Sequence, residues 1–542
     1  MNVFERAVQA ISPTTALKRE KARIRLDRIN SFKASAGYGH SGGSTQKKSM
    51  AGWNSRSGSP QQDIDPHLHL LRERSRDLFM SSPLAASAIN TKRTNIVGPG
   101  LQLKARLDHE YLGLSKEQAS AIEKQIEREF SLFTNTRNCD ALRLNNFFEL
   151  QALACLAWFL NGETIGLVKH KEPTKWAPYG LRIHLVEADR VSTPDTIQMP
   201  LLASWAPQRL NTVGKNKDNN NMIFNGVEVA DDGEVVAYWV CNQYPTGVNL
   251  TGKKREWVRV EAYGEETGNP NVLHVMDPER CEQYRGVPFL APVLEALKQI
   301  TRYQEAELMA ALVQALYTVF IELEGETDEI PFAEMFTPED LVDADDEHSY
   351  ELGPGAVVNL GKGEKAVFAD PKRPASGFES FVLSMAKMIG AALEIPQEIL
   401  LKSFTASYSA SRAALLELWK SIKTDRARFI ADFCQPIYEV WLSEAVARGR
   451  IHAPGFFNDP ATKAAWCKAE WTGPTQGQID PLKEVKAAVM RINHGFSTHE
   501  QETIALTGGN WDDNVAQLDL ERKALRKIRA KNRGEEDAKE PE

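Results

Sequence analysis

The chain has 542 residues, of which 42 % are hydrophobic and 25 % are charged, values of a globular protein rather than a disordered one. This length exceeds one ordinary domain, so we expect two to four structural units. The net charge of −8 and the pI near 5.9 argue against a protein that holds DNA tightly through a broad basic face.

Cysteine usage and the length of apolar runs indicate the compartment in which the protein works. The six cysteines form no CxxC pair and have no histidine at zinc-ligand spacing, which predicts free thiols in a reducing compartment. The N-terminus has no apolar core of a secretory signal. The most apolar run, 308–321, is about 14 residues long, shorter than the roughly 20 of a membrane span. We therefore expect a buried helix there and no membrane partner.

The chain begins with an arm, residues 1–65, that is first basic and then rich in Gly and Ser. Such a composition buries too little apolar surface to fold alone, so the arm is expected to be mobile or draped on a partner. Asp65 is the expected N-cap of a helix with Pro66 at its first position. The "SSP" at 81–83 ends that helix, and a second one ends at the glycines 98 and 100.

The next segment predicts an α+β unit. An amphipathic helix over 115–133 and an apolar one over 145–163 precede a region, 163–274, of alternating apolar and polar residues separated by turns. This two-residue period predicts a mixed, mostly antiparallel sheet.

From Pro292 the chain becomes helical in pattern. Apolar residues recur at helical spacing for about 30 residues, a rod of roughly 45 Å. Its second half is apolar nearly all round, so we expect other subunits to cover it. An insert, 325–370, with an acidic run and two strand-like pieces follows, and a second helix, 376–393, would return antiparallel to the first.

A hydroxyl-rich loop without acidic groups, "KSFTASYSAS", then leads into a third helix over 407–448. Pro436 is expected to kink this helix because it removes a hydrogen bond and clashes with the preceding turn. The tail, 450–542, is mixed and ends in a charged helix.

Several segments resemble catalytic or metal-binding motifs, but each lacks a necessary residue. "GAVVNLGKGEK" has Gly363 where a phosphate loop needs Ser or Thr, and "HEQET" has Thr503 in place of the second zinc ligand. "DADDEH" has His348 where a calcium loop needs Gly. Ser384 and Lys387 have the spacing of a serine hydrolase with a lysine base, a pattern of very low specificity. No enzymatic activity, cofactor or metal site is therefore predicted.

Three blocks of sequence stand out: "RERSRDLFMSSPLAASAINTKRTNIVGPGLQL" (72–103), "RGVPFLAPVLEALKQITRYQEAELMAA" (285–311) and "LEIPQEILLKSFTASYSASRAALLELWK" (393–420). They resemble the lambda-type portal proteins of tailed bacteriophages. The resemblance runs in the same order over roughly 65–530. It implies an α+β portal architecture and a ring, normally of twelve subunits, at one capsid vertex, through which double-stranded DNA is packaged and ejected.

The order of segments in that family implies the following division of this chain: arm 1–65, wing 66–290, first stem helix 291–324, clip 325–373, second stem helix 374–395, tunnel loop 396–410, long kinked helix 411–450, and crown with C-terminal tail 451–542. The expected location is the virion, with the host cytoplasm during assembly. Expected partners are further copies of the chain, double-stranded DNA, the terminase large subunit, head-completion or tail adaptor proteins, and capsid and scaffold proteins.

The resemblance also gives the hydroxyl-rich loop a role. A loop that projects into a DNA channel should touch phosphates without holding them, because each phosphate neutralised by a cation adds salt-dependent affinity. The residues expected to line the channel are Lys402, Ser403, Phe404, Thr405, Ser407, Tyr408 and Ser409. The alternative is a helix N-cap at Ser407 or Ser409, and both roles are compatible.

Two further surfaces follow from the implied ring. The stem residues expected to pack against neighbouring subunits are Leu308, Ala311, Leu312, Ala315, Leu316 and Val319. The acidic clip residues expected to dock a partner are Glu339, Asp340, Asp343, Asp345, Asp346 and Glu347. Two other functions remain open: a capsid or tail adaptor of the same fold, and a hydrolase built on Ser384 and Lys387.

Overall fold

The computed structural model describes residues 13–34, 48–50, 52–53, 55, 57–197, 212–245, 252–316, 320–323, 364–367, 378–404, 407–477 and 480–537. The chain divides into two units, Met1–Ser59 and Pro60–Glu542. The first contains helix α1 (Pro13–Ala34), whose described side chains are exposed. The sequence did not predict this helix.

The first part of the second unit contains five helices. They are α2 (Pro60–Asp63), α3 (Asp65–Ser81), α4 (Pro83–Ile96), α5 (Lys116–Thr134) and α6 (Phe147–Asn161). Capping boxes at Ser115 and Asn146 begin α5 and α6 close to the predicted positions. The predicted N-cap at Asp65 is wrong: Ile64 occupies the cap position, and Asp65 is buried in the first turn of α3.

Among the described residues, the strands between 163 and 276 form two antiparallel sheets rather than one. The strands up to residue 276 are β1 (Gln102–Ala105), β2 (Glu163–His170), β3 (Leu181–Val186), β4 (Val213–Lys215), β5 (Met222–Phe224), β6 (Val227–Val229), β7 (Val235–Cys241), β8 (Trp257–Glu261) and β9 (Val272–Met276). The order β3-β2-β9 makes a three-stranded sheet, and β4 to β8 make a five-stranded meander. The predicted α+β class and mostly antiparallel pairing are confirmed.

The predicted 30-residue helix is shorter in the structure. Helix α7 spans Leu294–Leu316, about 35 Å, and strand β10 (Phe320–Leu323) pairs with β11 (Glu364–Val367). The expectation that the helix continues through Phe320 is therefore wrong. An unbroken apolar run satisfies a buried strand as well as a buried helix, so periodicity alone does not separate the two.

The following helices are α8 (Phe378–Ala392), α9 (Gln397–Leu400), α10 (Tyr408–Phe429) and α11 (Gln435–Ala447). Helix α8 packs on α7, where the ring of Tyr303 lies 5.5 Å from that of Phe378. A π-helical turn, Ile430–Cys434, joins α10 to α11 directly before Pro436. Proline has no N–H to donate to the carbonyl four residues earlier, and a π turn is a common way to accommodate this defect.

The tail contains α12 (Pro460–Cys467), β12 (Ala469–Thr472), α13 (Pro481–Asn493), α14 (His499–Thr507) and α15 (Trp511–Asp537). Strand β12 pairs antiparallel with β1, with Gln102 opposite Thr472. The tail is thereby attached to the helices at the start of the second unit.

A large aromatic core holds the helices together. Phe130 lies 4.8 Å from Trp441 between ring centroids, and Phe147 stacks on Phe433. Aromatic pairs of this kind add to the free energy of area burial, and they fix α5, α6 and the π turn in one cluster. A smaller apolar cluster combines buried residues of the three-stranded and the five-stranded sheet.

A buried charge cluster centres on Glu163 at the start of β2. Its carboxylate accepts hydrogen bonds from Arg72 at 2.7 Å, from Arg285 at 2.8 Å and from the Gly286 N–H at 2.8 Å, and lies 3.0 Å from His274. Burial would raise the pKa of Glu163, but Arg285 and Arg72 hold it well below its usual range. This cluster joins α3, β2 and β9.

All six cysteines are free thiols, as predicted. Within the described residues, no helix is long and apolar enough to cross a membrane. The same part of the chain contains no group of three or more His, Cys, Asp or Glu residues placed to hold a metal ion.

Candidate DNA-channel loop and subunit-contact surface

The segment after α8 turns sharply before the predicted tunnel loop. The N–H of Ile395 donates to the carbonyl of Gly390 at 2.9 Å, and Ile395 is buried. A Cβ atom on Gly390 would lie 2.5 Å from the Ile395 oxygen, so only glycine allows this approach. The turn therefore fixes where the loop begins.

Helix α9 anchors the loop to the core. Ile399 and Leu400 are buried, and the Ser87 hydroxyl on α4 donates to the Leu400 carbonyl at 2.8 Å. The Ser403 N–H donates back to the Glu398 carbonyl at 2.9 Å. Between them Lys402 has a φ of +52°, the left-handed conformation that favours glycine or asparagine. The exposed part of the loop thus leaves from a fixed base.

The structure places most of the predicted loop residues at the surface. Lys402, Ser403, Phe404, Ser407 and Ser409 are exposed, and the ring of Phe404 is 57 % accessible. Thr405 lies outside the described residues, as does the side chain of Tyr408, whose backbone begins α10. The described loop side chains are therefore accessible to a ligand on this face.

Ser407 is the N-cap of α10. Its hydroxyl accepts a hydrogen bond from the Ala410 N–H at 3.4 Å. The capping alternative is confirmed for Ser407. Ser409 lies in the first turn and is not the cap.

The helix after the loop is tied to α4 by a buried ammonium. Lys92 lies 2.8 Å from Asp425 and 2.6 Å from the Ser421 hydroxyl, both on α10. Burial raises the pKa of Asp425, and Lys92 opposes that rise. Nearby, Arg426 donates to the carbonyls of Ile96 and Pro474, so α10 is held along its inner side.

The described part of the predicted stem surface is exposed in the single chain. Leu308 is 63 % accessible and Leu312 is 51 % accessible, and Ala311 lies beside them. Ala315 and Leu316 belong to α7, but their side chains lie outside the described residues, as does Val319 altogether. This exposed apolar row on α7 is a candidate surface for association.

The six acidic clip residues of the sequence analysis, 339–347, lie outside the described residues. Ser384 and Lys387 are described: the Ser384 hydroxyl donates to the carbonyl of Ser380 in its own helix at 2.8 Å. No hydrogen bond between Ser384 and Lys387 is present in this described helix. The geometry therefore provides no activated nucleophile for the hydrolase alternative.

The comparisons with known proteins point to one class, the phage portal proteins. The sequence profile described as phage portal protein, lambda family, matches residues 46–426, more than two thirds of the chain. The chain belongs to the lambda family of phage portal proteins.

Individual relatives agree with this assignment. Portal protein B of Escherichia phage lambda is 26 % identical over 517 residues, covering 91 % of this chain and 90 % of the relative. The portal protein of Escherichia phage N15 is 26 % identical over 519 residues, covering 91 % of each.

Among solved structures, a chain from the neck of a native gene transfer agent particle covers 81 % of this chain and 93 % of its own length, with 12 % identity and a TM-score of 0.40. A chain from the virion of a native gene transfer agent particle has the same coverage, 13 % identity and a TM-score of 0.41.

Proposed function

We propose that this portal protein forms a closed ring of twelve subunits at one capsid vertex and that double-stranded DNA passes through its centre during packaging and ejection. The observation that carries the proposal is the exposed apolar row of Leu308 and Leu312 on α7. Exposure of these side chains does not stabilise a monomer, whereas a cyclic assembly is stabilised because each row is buried against the next copy.

The loop at 396–410 is the proposed DNA contact within the channel. Its base is anchored by α9 and by the cap at Ser407, while Lys402, Ser403 and Ser409 remain accessible. One cation per subunit and several hydroxyls give weak contacts that exchange readily and carry no sequence information. DNA can therefore slide past the loop.

The remaining assignments follow from membership of the portal family. The segments keep the division into wing, stem, clip, tunnel loop, kinked helix and crown given above. The clip is the proposed docking surface for the terminase large subunit and the head-completion or tail adaptor proteins, and other faces meet capsid and scaffold proteins. The protein acts as a structural conduit in the virion, assembled in the host cytoplasm, and has no enzymatic activity of its own.

The mass of the purified full-length chain in solution tests the ring. Light scattering after size exclusion should give about 730 kDa, twelve copies of the 60.5 kDa chain, independent of further dilution. A stable, folded monomer under the same conditions would contradict the proposal. An adaptor that never passes DNA would form an assembly without a hole wide enough for a duplex.

A further inference from the structure

The last helix carries a charge opposite to that of the rest of the protein. Residues 522–533 of α15, "RKALRKIRAKNR", contain seven cations and no acidic residue. Since the whole chain has a net charge of −8, the rest of it carries −15. This segment also lies outside residues 46–426, which the family profile matches.

The arginines of this segment share one side of the helix. The four positions are Arg522, Arg526, Arg529 and Arg533. Their spacing of four, three and four residues places them within an arc of about 60°, over a length of about 16 Å. The three lysines of the segment fall on a different side. Of the cations whose side chains are described, Arg522, Lys523 and Arg526 are exposed.

Stabilisation of the helix itself does not account for this arrangement. Cations complement the helix dipole in the last turn, but the last turn of α15 is acidic, with Glu535, Glu536 and Asp537. Pairing along the helix is used by Lys523, which lies 2.6 Å from Asp519. Arg526, by contrast, has no acidic residue three or four positions away.

Helix α15 is also open to a ligand. It is attached at its start, where the ring of Trp511 stacks on that of His499 at 4.5 Å between centroids. Every described side chain from 512 to 526 is exposed. The helix therefore presents its sides to solvent in the isolated chain.

We propose that this arginine row, defined by the four arginines 522, 526, 529 and 533, binds the phosphate backbone of double-stranded DNA without sequence preference. B-DNA carries one phosphate per 3.4 Å of each strand, so a row of about 16 Å faces roughly five phosphates of one strand. Guanidinium groups bind phosphate oxygens in a bidentate manner. The row is a second DNA contact, separate from the hydroxyl-rich loop, and it deepens the proposed function because it rests on DNA being the partner.

The test compares two variants of the full-length chain by fluorescence anisotropy with a labelled 30-base-pair duplex between 50 and 200 mM salt. The first replaces all four arginines of the row by glutamine, and the second replaces Lys523, Lys527 and Lys531 by glutamine. Glutamine is a good helix former, so α15 is retained and circular dichroism checks this. Each lost phosphate contact reduces the magnitude of the slope of log affinity against log salt by about 0.9, so the loss of four arginines should reduce it by about 3.6 per chain.

The slope should change clearly less per charge removed in the lysine variant than in the arginine variant. Replacement of the four arginines by lysine should retain most of the affinity for DNA. An unchanged slope in the arginine variant would overturn the proposal. So would equal losses per charge in both variants, which would mean a diffuse effect of net charge. Loss of binding to phosphatidylserine vesicles with DNA binding unchanged would assign the row to a membrane surface instead.

The same experiment separates this inference from the proposed function. If the wild-type chain stays monomeric but the arginine row still accounts for DNA binding, the ring proposal fails and the inference stands. If rings form and the arginine variant binds DNA like the wild type, the inference fails alone.

Discussion

The ammonium of Lys92 on α4 lies 2.8 Å from the carboxylate of Asp425 on α10, and the Lys92 side chain is only 2 % accessible. Asp425 belongs to α10, the helix that follows the loop at 396–410. The pair therefore connects the start of the second unit to the helix that follows the segment proposed to face DNA.

The first prediction concerns this pair. Lys92→Ala should lower the free energy of unfolding by about 3 kcal/mol, because it leaves the largely buried carboxylate of Asp425 without its partner. The double variant Lys92→Met, Asp425→Leu should recover most of that loss, since neither charge then remains buried. Chemical denaturation of both variants measures the difference.

The exposed pair Lys420 and Glu417 on the same helix is the matched control. Its side chains are 75 % and 70 % accessible, and Lys420→Ala should change the unfolding free energy by no more than about 0.5 kcal/mol. Equal effects at Lys92 and Lys420 would contradict the role given to the buried pair.

The second prediction concerns Asp65 and pH. Burial raises the pKa of Asp65 to about 7, although Arg285 and Arg72 oppose the rise. A folded-state pKa above the unfolded one favours the folded protein at low pH, and this stability is lost as pH rises from about 4 to 7. Asp65→Asn removes this titration. The melting temperature of the variant, relative to that of the wild type, should therefore rise from pH 5 to 7, and the difference should stay constant above pH 7.

Each pH unit within that window corresponds to about 1.4 kcal/mol at most. Asp77→Asn, an exposed position on the same helix, is the matched control for the exchange of a carboxylate for an amide. A pH-independent difference between Asp65→Asn and the wild type would refute the assignment.

The third prediction concerns the apolar row on α7. Ala311→Asp should prevent ring assembly, because each copy would bury a carboxylate against its neighbour without a partner. Circular dichroism should remain unchanged, since Ala311 is exposed in the single chain. Sedimentation velocity measures the assembly state.

Gln304→Asp is the control for this prediction. It introduces the same carboxylate on the same helix at a position that is already polar and exposed, and rings should form. Intact rings in the Ala311 variant would show that the row on α7 is not a subunit contact.

The fourth prediction separates capping from channel contact in the loop. Ser407→Ala should lower the unfolding free energy by about 1 kcal/mol, because Ser407 caps α10. Ser409→Ala should leave stability nearly unchanged. If the hydroxyls contact DNA, both variants should alter the rate of DNA packaging, measured in a packaging reaction with the cognate terminase.

Lys402→Asn extends the test to the one cation of the loop. Asparagine tolerates the left-handed conformation at this position, so the fold should be unaffected or slightly stabilised. Loss of the charge should lower the salt dependence of packaging. Packaging that matches the wild type at every salt concentration would remove Lys402 from the DNA contacts.

Local patterns predicted much of the fold. The apolar patterns over 115–133 and 145–163 and the alternation over 163–274 gave helix starts and strands close to those observed. These features depend on residues a few positions apart, where the sequence contains all the necessary information.

The errors arise where distant residues decide the structure. Asp65 has the residue type of a cap, but Arg285, Arg72 and Glu163 surround it in the folded chain. The pairing of Gln102 with Thr472 and the bond between Lys92 and Asp425 join segments more than 300 residues apart. No local period encodes such contacts. In the candidate site, Ser407 was among the two predicted caps, whereas nothing near Lys92 in sequence indicated its partner.

The most direct test of the central claim is negative-stain electron microscopy of the purified full-length chain with two-dimensional averaging. The ring proposal predicts end-on views with twelve-fold features around a central hole wide enough for a DNA duplex. Averages that show folded single chains, or closed assemblies without a hole, would contradict it.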